Sequence, residues 1–126
     1  MASDDNRFAK GLDKMEELFG RRYDPDGSVM PEEFIGHTVA HLFGDIWQNP
    51  ALSIQERSLL TCTLLVALNR ENEQRLHFPG ARNIGIPREK LEAAITHAAH
   101  YAGWPSAVSA FAILEDVWPA ESDGPS

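Results

Sequence analysis

The chain holds one cysteine, Cys62, among its 126 residues. A lone thiol cannot close an intrachain disulfide, form a CxxC redox pair or supply a multi-cysteine metal site. Disulfide exchange is excluded as well, because it needs a second thiol to resolve the mixed disulfide. Positive charge is also scarce: 11 Lys and Arg stand against 19 Asp and Glu, a net charge of -8. Without a Lys/Arg run to displace counterions, nucleic acids and anionic membranes are poor partners. No stretch is both long and apolar enough to cross a bilayer. Met1 to Arg7 carries two Asp and no apolar run, so it does not read as a secretory signal. A cytoplasmic protein is the expectation. No window alternates with period 2, so no strand is expected.

What is present is helical punctuation. With 43% hydrophobic residues the chain suits a single domain over 1–126, with its core in 8–118 and frayed ends at 1–6 and 120–126. Phe8, Leu12, Met15, Leu18 and Phe19 fall at helical spacing, and Gly20 can end that helix. Pro31 suits the first turn of a second helix running to about Trp47, where Asn49-Pro50 breaks it. Ser53-Ile54-Gln55-Glu56 is a capping box that opens a helix over 54–68. That helix is apolar nearly all round in its second half, which calls for burial on most sides and for help from a partner subunit. Further helices are expected at 71–83, 88–102 and 105–117, punctuated by Gly85, Pro87, Gly103, Pro105 and Pro119. The fold class expected is all-α, a bundle of about six helices.

Among titratable residues, Glu73 and His77 are four apart and share a helix face. A carboxylate can orient an imidazole and raise its pKa, which suits a general acid or base; an ordinary solvated pair has the same spacing. Trp47 can wall a pocket or pack the core. Arg57 can clamp a carboxylate or pair with Glu56 or Asp45. Cys62, mid-helix among Leu and Thr, reads as a buried, inert thiol. His37/His41 and His97/His100 have spacings that could contribute to a Zn²⁺ site only with a third ligand from elsewhere, and no H-E-x-x-H is present, so no metal site is expected.

Six ordered blocks carry a family resemblance. They are Phe43-Gly44-Asp45-Ile46-Trp47-Gln48-Asn49-Pro50-Ala51-Leu52, Arg57-Ser58-Leu59-Leu60-Thr61, Leu68-Asn69-Arg70, Glu73 with His77, Gly80-Ala81 with Asn83-Ile84-Gly85, and Tyr101-Ala102-Gly103-Trp104-Pro105-Ser106-Ala107. Spread over roughly residues 34–115, they resemble the carboxymuconolactone decarboxylase family, with its AhpD-like helical fold. The resemblance implies a compact helical subunit forming a homo-oligomer, a trimer or hexamer. It also implies cofactor-independent decarboxylation of a 4-carboxymuconolactone-like lactone or a related β-keto-acid-type carboxylate in aromatic-compound catabolism. On that reading His77 and Glu73 are catalytic, and Trp47, Arg57, His97 and Tyr101 contact substrate. The chain departs from the pattern where relatives carry arginines: Met15, Glu16 and Pro79 stand there. A dicarboxylate would then lack its usual partners, which puts the family's named substrate in question. A lactone hydrolase or isomerase on the same scaffold, or a non-catalytic oligomeric binding protein, are the rival readings.

Overall fold

The computed structural model describes residues 4–121. Six helices and no strand are found among them: α1 (Asp4–Phe19), α2 (Glu32–Gly36, continuing with π-helical hydrogen bonding over His37–Phe43), α3 (Ile54–Ala67), α4 (Glu71–Asn83), α5 (Arg88–Ala102) and α6 (Trp104–Val117). The all-α expectation and most boundaries agree with the sequence reading. Two differ. Asp4 to Asn6 are helical rather than frayed, while 1–3 and 122–126, also read as frayed, lie outside the described residues. The second helix stops at Phe43, not near Trp47, and Ile46–Gln48 forms a separate 3-10 turn.

α1 and α2 cross closely near the point where the second helix ends. A Cβ at Gly44 would lie 2.4 Å from the Arg7 carbonyl oxygen, and one at Gly11 would lie 1.8 Å from that of Val39. Only glycine lets the backbones approach this closely. Arg7 then forms a two-pronged salt bridge with Asp45, just beyond the helix end.

The capping box forms as its sequence requires. Ser53 Oγ accepts from the Glu56 amide at 3.0 Å and Glu56 accepts from the Ser53 amide at 2.8 Å, an arrangement worth about 1 kcal/mol. Gly103, at φ 111°, ends α5 and starts α6 in one residue, a conformation that side chains disfavour.

The core has two parts. Met15, Leu18, Ile35, Val39, Phe43 and Trp47 form one between α1 and α2. Cys62, Val66, Phe78, Leu91, Ile95 and Leu114 belong to the other, among α3 to α6. Ile84 packs against both. α4 rests on α1, α3 and α6, and α5 rests on α3 and α6.

The all-round burial expected for α3 is not met within the chain. Ser58, Cys62 and Val66 face inward. Leu60, Leu64 and Leu68 are 51%, 59% and 62% exposed, an outward stripe at i, i+4 and i+8.

Candidate active site

His77 lies on α4 where that helix meets α1. The approach is close because residue 80 has no side chain: a Cβ there would lie 3.3 Å from Phe19 Cδ1. Asn83, one turn on, donates to the carbonyls of Glu17 and Leu18 at 2.9 and 3.0 Å, satisfying the end of α1 and fixing its position on α4. Phe19 is thereby held edge-on to the imidazole, with centroids 5.3 Å apart at 69°. It also meets Phe43 at 6.3 Å, and Phe43 meets Trp47 at 5.2 Å. The result is a continuous aromatic row from His77 to Trp47, assembled from α4, α1, α2 and the turn after it.

The electrostatics follow from this enclosure. The Nδ1 of His77 is buried with no hydrogen-bond partner. Burial pushes the imidazole below its ordinary pKa of 6.5, and the Glu73 carboxylate pulls the other way without reversing it. The rise suggested by their spacing is therefore outweighed by desolvation. No hydrogen bond or ion pair joins the two among the described residues; exposed Glu73 acts through its charge. Burial likewise pushes the Cys62 thiol up to about 12, and Cys62 Sγ–H donates to the His77 carbonyl at 3.6 Å. A thiol held protonated in this way is a packing group.

Of the other candidate residues, Trp47 is buried in the α1–α2 core. Arg57 pairs with neither Glu56 nor Asp45. Glu56 is engaged in the capping box, and Asp45 is held below the usual carboxylate range first by Arg7, with His41 assisting. Arg57 Nη2 instead donates to the Asn49 carbonyl at 2.9 Å, just after the Trp47 turn, while its Nε is buried and unpartnered. Among the described residues, His77 and Arg57 thus each hold a buried side-chain nitrogen without a partner.

His97 and Tyr101 are set apart on α5. Their rings stack at 5.0 Å beside an open groove that Thr96 and His100 also line. The structure does not bring them to the surroundings of His77. The paired histidines have other partners: His41 Nδ1 is 3.2 Å from Asp45, His37 Nε2 is 3.7 Å from Glu33, and His100 Nδ1 is 2.9 Å from the Thr96 carbonyl. Phe19, Phe43 and Asn83 complete the surroundings of His77 without having been candidates by sequence. Phe19 stands out only as an apolar helix position, and Phe43 and Asn83 only within motifs. Nothing in their spacing signals contact with α4.

Fold and site together describe a small helical protein with a half-buried histidine whose Nδ1 is enclosed. The family model for the carboxymuconolactone decarboxylase family matches residues 32–116, and the chain belongs to that family. Over 120 residues it is 29% identical to 4-carboxymuconolactone decarboxylase of Acinetobacter baylyi, covering 92% of this chain and 90% of that one. Over 73 residues it is 37% identical to nitrosuccinic acid decarboxylase npaB of Metarhizium robertsii, covering 58% of this chain and 51% of that one.

Proposed function

We propose that the protein is a carbon–carbon lyase that decarboxylates a small organic acid without a cofactor. The acid is either a 4-carboxymuconolactone-like lactone or a related compound with a carbonyl placed to accept the electron pair. The observation that carries this is the half-buried His77, its Nδ1 enclosed and unpartnered at the head of the aromatic row, in a chain whose relatives in two organisms are decarboxylases.

Breaking the bond to the departing carboxylate leaves its electron pair on carbon, delocalised into the substrate's carbonyl. A low-dielectric site favours that step because the carboxylate charge is dispersed. The enolate carbon then takes a proton from His77. With its pKa held below 6.5 by burial, the imidazole of the free protein is neutral at neutral pH. An entering anion raises its pKa and draws a proton onto it, so the bound complex carries the imidazolium that the reaction consumes. Glu73 reinforces the same direction. Arg57, tied to the loop after Trp47, is a substrate contact, and Trp47 backs the row. His97 and Tyr101 reach substrate only if a second subunit brings the α5 groove to the site.

Assembly is part of the proposal. The outward stripe of Leu60, Leu64 and Leu68 and the exposed Tyr101 and Trp104 suit burial against further copies of the chain. A trimer or hexamer would use both surfaces.

The test is a panel of lactone carboxylates and β-keto acids followed for CO2 in D2O. One deuterium at the carbon that lost CO2 is the expected signature. The depressed His77 pKa also favours a second reading, in which the neutral imidazole takes a proton from water to hydrolyse a lactone. Substrate turnover with ring opening and no CO2 would select it.

A further inference from the structure

A second cavity lies at the other end of α1 from Phe19, where the first turns of that helix cross the second. It encloses about 350 Å³ and is lined by Arg7 and Phe8 from α1 and by Glu33, Gly36, His37 and His41 from the second helix. A Cβ at Gly36 would meet nothing within 4 Å, so the cavity is open on that side. His37 and His41 stand in the π-helical stretch His37–Phe43. Its hydrogen bonds run to the fifth residue, so positions four apart stay on one face, and both imidazoles line the cavity.

Asp45 fixes the state of His41. Arg7 holds that carboxylate below its usual range, with His41 assisting, so it is ionised at neutral pH. An ionised carboxylate only accepts hydrogen bonds. The Nδ1 of His41, 3.2 Å away, therefore carries a proton and donates it. In the neutral ring Nε2 then keeps a bare lone pair. Metal-ligating histidines commonly have such a carboxylate behind them, which sets the tautomer and the ring orientation. Glu33 Oε1 lies 3.7 Å from His37 Nε2, an exposed pair that solvent screens, so His37 can turn its ring at small cost. By sequence the pair lacks a third ligand, and among the described residues no three His, Cys, Asp or Glu side chains stand together as a metal site. The arrangement is that of a two-nitrogen chelate, with water oxygens completing the coordination.

We propose that His37 and His41 chelate a late first-row divalent ion, Cu²⁺ more tightly than Ni²⁺ or Zn²⁺. Imidazole nitrogens with oxygen ligands suit these ions, and the order follows their general affinities. The bound ion ties His37 to His41 along the π-helical stretch and stabilises the folded chain by mass action. His77 does not line this cavity, and the decarboxylation proposed above needs no ion here.

The test is a calorimetric titration of the full-length protein with NiCl2 in a non-chelating buffer at about pH 7.5, where histidine side chains are ordinarily neutral. One ion should bind per chain. His37→Gln and His41→Gln should each weaken it at least about tenfold, and Asp45→Asn by about tenfold through lost support of His41. Thermal melts verify that the variants fold, and NiCl2 should raise the melting temperature of the wild type but not of the His37→Gln/His41→Gln double variant. Traces of Cu²⁺ should broaden the amide NMR signals of His37 and His41 first. Wild-type Ni²⁺ affinity in the double variant, or broadening centred instead on His97 and His100, would overturn the proposal.

Discussion

Phe19 and His77 stand edge to face, their ring centroids 5.3 Å apart, and this contact keeps water from one side of the imidazole. Phe19→Ala should admit water and move the His77 pKa back up toward 6.5. An NMR titration of the imidazole Cε1 proton measures it. An unmoved or lower pKa would mean that other groups desolvate the ring.

The same burial has a stability consequence. The folded pKa of His77 lies below its ordinary 6.5. As pH falls from 6.5, the unfolded chain takes up a proton that the folded chain refuses, so stability drops until the folded pKa is reached and then levels off. Asp45 and Glu56, lowered from 3.8 and 4.5, lose their contributions only at lower pH. Urea midpoints at about pH 7.5 and about pH 5.5 therefore isolate the histidine. The midpoint of the wild-type chain should fall more than that of His77→Gln. Parallel falls would show that His77 carries no such penalty.

Much of this arrangement was legible in the sequence, because it rests on local chemistry. Ser53 and Glu56 announced the start of α3, and Gly103 with Pro105 announced the junction of α5 and α6, each through a rule about neighbouring residues. What was not legible depends on distant segments meeting. Trp47 was read into the second helix because apolar spacing continues past Phe43. Just past the stop Asp45 pairs with Arg7, a contact between distant segments that no local pattern encodes. Arg57 was given carboxylate partners, but the Asn49 carbonyl folds back to it. The spacing of Glu73 and His77 suggests a raised pKa, and burial by segments distant in the chain reverses the sign. For His97 and Tyr101, the family resemblance says nothing about α5 lying away from His77.

Cys62 provides a check on the inner core. Raising its pKa from 9.0 to about 12 cuts the thiolate fraction about a thousandfold. A chromogenic disulfide reagent should label it very slowly in the folded protein and rapidly in denaturant. Fast labelling without denaturant would mean that α3 and α4 part readily at this point.

Leu64 tests assembly. It is 59% exposed in the middle of the α3 stripe, and Leu64→Glu should leave the helix content unchanged while desolvation of the new carboxylate opposes contact between copies. Light scattering after gel filtration should show a smaller particle than the wild type. A monomeric wild type, or a variant of unchanged mass, would contradict assembly through this face.

The most direct measurement is the turnover number of His77→Gln for whichever acid the wild type decarboxylates. Glutamine keeps a polar side chain of similar reach but cannot deliver the proton. With His77 as proton donor, CO2 release should fall about 10²–10⁴-fold with the fold intact. A variant that releases CO2 within about threefold of the wild-type rate would contradict the assignment, because a general acid contributes far more than that.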